Sequence, residues 1–460
     1  MPSISTVQTS VDSESVVSET KLLLVWSLLT WIVVMNTTML NVALPSILSD
    51  LSLSSSAASW IVSGYSIAFA LSTLTFSRLS DFLPISRLLL IGVIIMGISS
   101  IIGFFSSHFY LLLLTRILQA IGAGAVPGLG LVVVRRYIPI SRRGKSMSFI
   151  ASAASLAFGL GPVVGGIITQ FLGWHFLFAV PGIAVLFIPV FSKLIPIEGV
   201  KKGYFDIWGA VLTAVSVTFV LLFISTPSPL IVCVALLCIP ATWIYLNKAA
   251  QPFIQPHLLK NKQFLKLLFV GFATFFTNFS TMFIIPIILT NEFGRAPVEI
   301  GLMIFPGAIL GAISAQYIGR MIDLFGTVRF FIIGQLFLAA GTLLFAILST
   351  SSHYYIIFMY MFISIGFSTL NSCLSNEVTR ILPLKDIGTG VGLSQMVQFF
   401  GGSFGVTIAG LLFTLQTGLT SAAAYRNLFL IIASIIAISV LVYLFYYRQL
   451  KISQSKTLDR

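Results

Sequence analysis

Charged residues are scarce in this sequence of 460 residues. They account for 8% of the chain, whereas hydrophobic residues account for 57%. Soluble domains are ordinarily about one-quarter charged, so this composition excludes a soluble globular protein. Apolar segments of roughly 20 residues, the length that crosses a bilayer, repeat along nearly the whole chain. The composition therefore predicts an all-α polytopic membrane protein.

Residues that usually carry chemistry are equally few. Cys233, Cys238 and Cys373 stand alone in apolar segments, which gives neither a disulfide framework nor a metal site. The four histidines occur singly, and the sequence contains no Walker loop, no nucleophile elbow and no paired carboxylates. An ATP-driven pump and a membrane hydrolase are therefore not supported. We expect a protein that is not an enzyme and that needs no cofactor or metal.

The first twenty residues lack the basic stretch and apolar core of a secretory signal peptide. We expect residues 1–20 to form a disordered cytoplasmic tail. Fourteen apolar segments follow and are predicted to be membrane-spanning helices: 22–44, 57–77, 88–106, 109–134, 147–172, 175–196, 207–225, 229–247, 265–290, 299–319, 328–349, 353–376, 388–414 and 427–447.

These fourteen segments predict a division of the chain into two similar halves. An N-terminal six-helix bundle is expected at 21–196, and a C-terminal six-helix bundle at 264–447. Two additional helices and a cytoplasmic linker occupy 197–263, and residues 448–460 form a cytoplasmic tail. The fold prediction is therefore two pseudo-symmetric bundles with two extra central helices.

The basic residues predict the orientation of the chain. Lys and Arg are enriched in the cytoplasmic loops of membrane proteins. With a cytoplasmic N-terminus, all of the 26 Lys and Arg residues except Arg116, Arg295 and Arg426 fall on the cytoplasmic side. The net charge of +13 is thus a topology signal, and it does not require a nucleic-acid partner.

An internal repeat supports the two halves. The stretch SRLSDFLPISR at 77–87 and the stretch GRMIDLFGTVR at 319–329 share an Asp at the fifth position and an Arg at the eleventh. Asp81 and Asp323 are the repeated acids, and both fall in predicted cytoplasmic loops. Parallel halves of this kind are a transporter architecture, with the substrate site between them near the middle of the membrane.

Over essentially its full length the sequence resembles the major facilitator superfamily. The 77–87 stretch resembles the superfamily's loop signature, LTRILQAIGAG at 114–124 resembles its helix-four motif, and GLGPVVGG at 159–166 resembles its helix-five antiporter motif. Together with NVALP at 41–45 and FDIWGA at 205–210, fourteen helices point to the 14-helix drug:proton antiporter branch. Gram-positive tetracycline and multidrug efflux transporters are the most similar members.

The resemblance implies gating and coupling roles for several residues. Asp81, Arg87 and Asp323 would latch the cytoplasmic gate, and Gly161, Pro162, Gly165 and Gly166 would form a pliable seal. Simple inner-face anchoring explains the arginine equally well, and helix packing explains the glycines. Arg116 lies roughly 10 Å into helix four, where a charge should face a cavity or a partner. We expect Arg116 to take part in coupling.

The sequence also departs from the branch. Ser77 and Pro84 stand where glycines are usual, and helix one has Asn36 where the branch usually has an acid. No Asp or Glu falls in the middle of any predicted span, which leaves the identity of the proton carrier open.

Polar residues inside the predicted spans are the candidate substrate pocket. For any one of them, hydrogen bonding between helices is as good an explanation as ligand contact. The predicted pocket residues are Asn36, Thr37, Asn41, Tyr65, Asn278, Thr281, Asn371, Gln395 and Gln398.

The sequence therefore predicts a plasma-membrane transporter that exports a hydrophobic drug, tetracycline-like or multidrug, in exchange for protons. The proton gradient would be its energy source, and its partners would be the drug, protons and the bilayer. Nothing in the sequence requires an oligomer, so we expect a monomer. Two alternatives stay open: an ion-coupled carrier or uniporter of an endogenous metabolite, and a membrane sensor that transports nothing.

Overall fold

The structure is a computed structural model of the chain. It describes residues 19–139, 142–196, 198–200, 205–225, 228–383, 386–416 and 418–458, without the side chains of residues 131, 144, 145, 148, 319, 320, 323 and 451–458. The predicted tail at 1–20 therefore falls almost entirely outside the described residues.

Fourteen helices in the described part of the chain are long and apolar enough to cross a membrane, which confirms the predicted fold class. The first eight are α1 (Glu19–Asp50), α2 (Ser55–Leu79), α3 (Ile85–Phe104), α4 (Phe109–Tyr137), α5 (Arg143–Phe171), α6 (Trp174–Leu194), α7 (Ile207–Ser225) and α8 (Pro229–Lys248). The last six are α9 (Lys262–Asn291), α10 (Pro297–Phe325), α11 (Thr327–Leu348), α12 (His353–Ile381), α13 (Ile387–Leu415) and α14 (Ser421–Leu458).

Local sequence explains how these helices begin and where they break. The Ser54 hydroxyl caps α2 by accepting the Ala57 amide, and Asn261 caps α9 in the same way. Gly326, with φ of 82°, makes the one-residue turn between α10 and α11, a conformation that favours glycine. The span α6 is a series of short 3₁₀ and α segments containing Pro181 and Pro189, because proline removes a helical hydrogen bond.

The helices form two bundles, α1–α6 and α9–α14, which meet along two long seams. One seam is between α2 and α13, and the other is between α5 and α10. The hairpin α7–α8 packs beside the first seam, against α2 and α13. Helix α9 lies at the centre of its bundle, with most of its side chains buried.

The first and last described residues, at the start of α1 and the end of α14, lie at one end of the molecule, which we call the terminal face. There α1 and α5 begin, and Glu19 pairs with Arg142 at 3.0 Å. Helix α14 also reaches this face, where Gln449 accepts a hydrogen bond of 2.6 Å from Lys266 at the start of α9. The opposite end, which contains the loops after α1 and α9, is the distal face.

Asp206 explains the FDIWGA stretch at the start of the hairpin. It is buried and precedes α7, and its carboxylate accepts hydrogen bonds from the amides of Gly209 and Phe253 and from the Tyr245 hydroxyl. One carboxylate thus caps α7 and ties it to α8 and to the linker that follows. This stretch holds the hairpin together.

Several predicted helices were shorter than the observed ones, and two of these differences place an acidic residue, Asp323 or Glu377, inside a helix. Helix ten was expected to end at 319, but α10 continues to Phe325 and contains Asp323 in its last turn. Asp323 is therefore not in a loop as predicted, and its side chain lies outside the described residues. Helix twelve was expected to end at 376, but α12 continues to Ile381 and contains the buried Glu377.

Candidate functional site

A buried polar network lies inside the N-terminal bundle around Arg116. The side chain of Arg116 is 2% exposed, and its Nη1 donates hydrogen bonds to Asn36 Oδ1 at 3.2 Å and to Gln119 Oε1 at 2.6 Å. The guanidinium carbon lies 4.0 Å from the centre of the Tyr65 ring. Helices α1, α2 and α4 each contribute to the network, so its residues are fixed by the packing of the bundle.

The other hydrogen bonds of the network are all between neutral groups. Asn36 Nδ2 donates to Tyr65 Oη at 3.3 Å and to Gln119 Oε1 at 3.2 Å, and Gln119 Nε2 donates to Ser100 Oγ at 2.9 Å. We call Asn36, Tyr65, Ser100, Arg116 and Gln119 the Arg116 network. No ion pair of Arg116 occurs among the described side chains.

The charge of Arg116 is therefore only partly compensated. Arg116 Nε is buried and has no hydrogen-bond partner in the described part of the chain. A desolvated charge without a counter-ion costs several kcal/mol, and a cation–π contact returns only about 2 kcal/mol. The network is thus suited to receive an anionic or hydrogen-bond-accepting group.

Six aromatic rings connect this network to the second bundle. Tyr65 stacks on Phe69 with ring centres 5.9 Å apart, and Phe69 meets Phe399 of α13 across the seam at 5.0 Å. Phe399 also contacts Phe275 at 5.5 Å and Phe279 at 6.0 Å. We call these rings, together with Phe367, the aromatic cluster; Phe367 joins it through Phe275.

The structure brings together three of the predicted pocket and coupling residues, Asn36, Tyr65 and Arg116. Thr37 and Thr281 instead donate to carbonyls of their own helices, Val34 O and Thr277 O. Asn41, Asn278 and Gln398 are buried, Asn371 is half-buried, and Gln395 is exposed. None of these other pocket residues hydrogen-bonds to the Arg116 network in the described structure.

Gln119, Ser100 and the aromatic cluster were not predicted. Gln119 lies three residues after Arg116, which puts the two on one face of a helix, and this spacing could have identified it. Phe275 and Phe279 also have helical spacing, but so do many core phenylalanines. Their connection through Phe399 to Phe69 of the other bundle cannot be predicted from one sequence.

The glycine motif of α5 lies where three helices meet. A Cβ on Gly161 or Gly165 would collide with Thr38 or Met39 of α1. A Cβ on Gly166 would collide with the backbone of Pro297 at the start of α10, and Gly301 of α10 has equally little room beside the Pro162 carbonyl. The motif therefore allows close backbone contact both within its own bundle and across the α5–α10 seam.

At the terminal face, the predicted loop acid is not the one that bridges helices. Asp81 is exposed, and no ion pair of it occurs among the described residues. Glu198 after α6 accepts the Ile85 amide at the start of α3 at 3.0 Å, and it pairs with Arg136 of α4 at 3.0 Å. Arg136 also donates to Ser80 O at the end of α2. Glu198 and Arg136 together thus join the ends of four helices, α2, α3, α4 and α6.

The surroundings of Glu198 favour its ionised form. Partial burial acts against the charge, but hydrogen bonds from the Ile85 amide and from Arg136, together with the positive charge of Arg136, hold the pKa of the Glu198 carboxyl below its ordinary value. Arg87 does not join this group, because it is exposed and lines a small cavity of about 240 Å³ between α3 and α6.

A larger apolar cavity of about 870 Å³ lies between α2, α4 and the accessory helix α7. No residue of the Arg116 network or of the aromatic cluster lines it. The candidate site is therefore defined by the polar and aromatic contacts at the seam, not by this cavity.

The sequence model of the Major Facilitator Superfamily matches residues 26–247 and 267–459. The chain belongs to this superfamily. This match and the fourteen helices confirm the resemblance predicted from the motifs. The protein is therefore a membrane transporter. In this superfamily member the Arg116 network lies inside the N-terminal bundle, and the aromatic cluster connects it to the second bundle.

Individual relatives of this superfamily transporter carry different names. The riboflavin transporter RibZ of Clostridioides difficile is 26% identical over 399 residues, which are 85% of this chain and 84% of RibZ. The putative multidrug resistance protein MdtD of Escherichia coli is 25% identical over 430 residues, which are 89% of this chain and 91% of MdtD.

Solved structures share the fold. A bacterial homologue of the human lysosomal transporter Spinster, in an inward-facing and occupied conformation, matches with a TM-score of 0.66. Its sequence identity is 15%, and the match covers 94% of this chain and 97% of the homologue. A transporter of the POT family matches with a TM-score of 0.68 at 14% identity.

Proposed function

We propose that this transporter exports hydrophobic, aromatic drugs in exchange for protons. The observation that supports the proposal is the continuity of the Arg116 network with the aromatic cluster at the seam between the bundles. The rings offer stacking surface to a planar molecule, and Arg116 offers a cation with an unpaired donor. Many tetracycline-like and multidrug substrates combine rings with polar oxygens.

Transport would proceed by alternating access between the two bundles. The seams α2–α13 and α5–α10 would open and close in turn, and the glycine motif at 159–166 would let α5 and α10 seal without bulky side chains between them. We propose that Asp81, Arg87 and Asp323 act at the terminal-face gate and that Arg116 acts in coupling.

The transporter would lie in the plasma membrane as a monomer, with its terminal face in the cytoplasm. The distribution of Lys and Arg supports this orientation, because nearly all of them fall in the predicted cytoplasmic loops and tails. It would have no nucleic-acid partner and would need no cofactor besides the proton gradient.

A second candidate function is transport of a planar metabolite. The absence of an acid at Asn36 favours it, because the Arg116 network contains no group that carries a proton as a carboxylate does. The similarity to RibZ also supports it, since that relative is named a riboflavin transporter. Riboflavin is therefore a necessary probe beside the drugs.

Everted membrane vesicles containing the chain test these candidates. Ethidium, tetracycline, norfloxacin and radiolabelled riboflavin are offered with an inside-acid pH gradient and after the gradient is collapsed. The proposal expects gradient-dependent accumulation of at least one drug beyond vesicles that lack the chain. Accumulation of riboflavin alone would favour the metabolite carrier, and exchange that ignores the gradient would indicate a uniporter. Movement of none of the four would contradict the export proposal.

A further inference from the structure

The antiport proposal requires a group that carries the proton, and the Arg116 network contains no carboxylate. Glu377 of α12 is the one carboxylate that is buried within a membrane-spanning helix, among those whose side chains are described. Its side chain is 2% exposed, whereas Asp50 and Glu299 lie exposed at helix ends. Glu377 was not among the predicted site residues, because the predicted helix ended one residue before it.

The other two buried carboxylates have structural partners. Asp206 has both oxygens occupied by three donors at the start of α7. Asp386 precedes α13 and pairs with the exposed His257 of the linker at 3.2 Å. Neither lies inside a membrane-spanning helix, so neither has the environment expected of a coupling acid.

The two oxygens of Glu377 differ in their contacts. Oε1 accepts hydrogen bonds from the Arg380 guanidinium and from the Tyr446 hydroxyl, the latter at 2.5 Å. Oε2 is buried and has no hydrogen-bond partner in the described part of the chain. A proton on Oε2 would neutralise the carboxyl and leave both donors on Oε1 in place. An ionised carboxyl leaves that buried oxygen uncompensated, which is unfavourable in a low dielectric.

The surroundings of Glu377 connect α12 to α14. Arg380 and Cys373 face the carboxyl from its own helix, and Tyr443 and Tyr446 face it from α14. Thr327 at the start of α11 accepts hydrogen bonds from the Cys373 thiol at its carbonyl and from the Asn376 amide at its hydroxyl. On α9, Lys266 near the terminal face donates a hydrogen bond to Gln449 of α14.

A path to water exists at the terminal face. Glu377 lies one turn before the end of α12, which is about 6 Å along the helix. Its partner Arg380 is half-exposed there, with 48% of its side chain accessible. A proton can therefore reach or leave Glu377 past one side chain.

We propose that Glu377 binds and releases the coupled proton, an inference that rests on the proposed antiport. On release, the O–H bond at Oε2 breaks, its electron pair stays on the carboxylate, and the proton passes to water at the terminal face. The negative charge strengthens the hydrogen bonds from Arg380 and Tyr446 and holds α12 against α14. On protonation these bonds weaken, and the end of α12 becomes free to move relative to α14.

Transport of ethidium in proteoliposomes tests the coupling role. Glu377→Gln keeps the size of the side chain but cannot carry a proton, and Glu299→Gln is the matched control at an exposed glutamate of α10. We expect Glu377→Gln to lose gradient-driven accumulation while ethidium–ethidium exchange continues at the wild-type rate. Glu299→Gln should retain both. If the wild type accumulates ethidium with the gradient and Glu377→Gln does so equally, the assignment of Glu377 is wrong.

A second measurement needs no substrate. Cys373 is buried one turn from Glu377, so its alkylation by N-ethylmaleimide reports both the charge of Glu377 and the release of α12. With Cys233 and Cys238 replaced by serine, the ratio of alkylation rates in Glu377→Gln and in the parent is followed against pH. We expect the variant to react several-fold faster at high pH and equally at low pH. A ratio that does not vary with pH would mean that Glu377 does not titrate, whatever the transport assay shows.

The two assays separate failure of this inference from failure of the proposed function. If the wild type does not accumulate ethidium but the Cys373 ratio varies with pH, Glu377 is a proton-binding site and antiport of this drug is wrong. If the alkylation ratio is constant and transport is coupled, the proton is carried elsewhere. Should Glu377→Gln fail to fold, Tyr446→Phe removes one donor from Oε1 and should shift the pH at which Cys373 reactivity changes; no shift would count against the proposal.

Discussion

Arg116 and Asn36 meet inside the N-terminal bundle, with Arg116 Nη1 and Asn36 Oδ1 3.2 Å apart. A neutral amide therefore occupies the position where an acid would neutralise the buried guanidinium. The positive charge is stabilised only by the Tyr65 ring, by the amide oxygens of Asn36 and Gln119, and by any group that the site binds. This arrangement makes the replacement of either residue an informative experiment.

Asn36→Asp should convert the network into an ion pair. The new carboxylate would lie within hydrogen-bond distance of Arg116, and it would add a protonatable group to the site. We expect transport to become more steeply dependent on the pH gradient, or to accept more cationic substrates. Asn247→Asp is the control, because Asn247 is exposed at the end of α8 and lies outside the Arg116 network. Gradient dependence that is the same in the wild type and Asn36→Asp would indicate that α1 does not line the proton path.

Arg116→Met should separate transport from stability. The substitution removes a poorly compensated buried charge, which returns several kcal/mol, and it leaves Asn36 Oδ1 without a donor, which costs about 1–3 kcal/mol. We therefore expect the melting temperature in detergent to stay the same or rise, while gradient-driven efflux is lost. Arg116→Lys keeps the charge and should retain part of the efflux. Full efflux by Arg116→Met would disprove a coupling role.

Phe399→Ala should weaken the binding of planar drugs. Phe399 contacts Phe69, Phe275 and Phe279, and each aromatic pair contributes about 0.5–1.5 kcal/mol. Loss of one such stacking surface should raise the Kd for ethidium about tenfold, measured by fluorescence titration. Phe413→Ala on the same helix removes a ring that faces Tyr425 outside the cluster. Equal Kd values for the two variants would contradict the assignment of the aromatic cluster.

The fold was largely predictable because hydrophobic segments of membrane-spanning length dominate the sequence. The helix limits were less so, since hydropathy falls at polar residues even where the backbone stays helical. Glu377 shows this clearly: it looks like the end of a span, yet Tyr446 of α14, 69 residues away in sequence, buries it. A one-dimensional window contains no information about that partner.

The candidate site was predictable in part for a similar reason. A charge within a span must have a partner, so Arg116 was identifiable, and Asn36 and Tyr65 were identifiable as polar groups in neighbouring spans. The sequence did not predict which carboxylate bridges the helices at the terminal face. Asp81 and Glu198 are both acids near the membrane surface, and only the packing of α3, α4 and α6 decides that Glu198 caps a helix.

Gly166→Leu should impair closure of the α5–α10 seam. Even a Cβ would collide with the Pro297 carbonyl, so a larger side chain must separate the two helices at the distal face. Overpacking of this kind costs about 1–3 kcal/mol. Because this cost falls on the state in which the seam is closed, the transport rate should fall by about fivefold or more. Gly199→Leu is the control, because Gly199 is exposed and a Cβ there meets no atom within 4 Å. An unchanged rate in Gly166→Leu would show that this contact does not limit transport.

Glu198 should make the stability of the terminal face depend on pH. Its pKa in the folded protein lies below the ordinary value of 4.5, so the folded state favours the ionised form more than the unfolded state does. Its contribution to the free energy of unfolding is therefore complete above about pH 4.5 and is lost as pH falls through the lower, folded-state pKa. Glu198→Gln should reduce the melting temperature at neutral pH and flatten its decline in acid, whereas Asp81→Asn should leave both unchanged. The melting temperatures of the wild type and of both variants, measured in detergent between pH 3 and 7, show the difference directly. Parallel curves for Glu198→Gln and the wild type would show that the bond from Glu198 to the α3 terminus does not stabilise the protein.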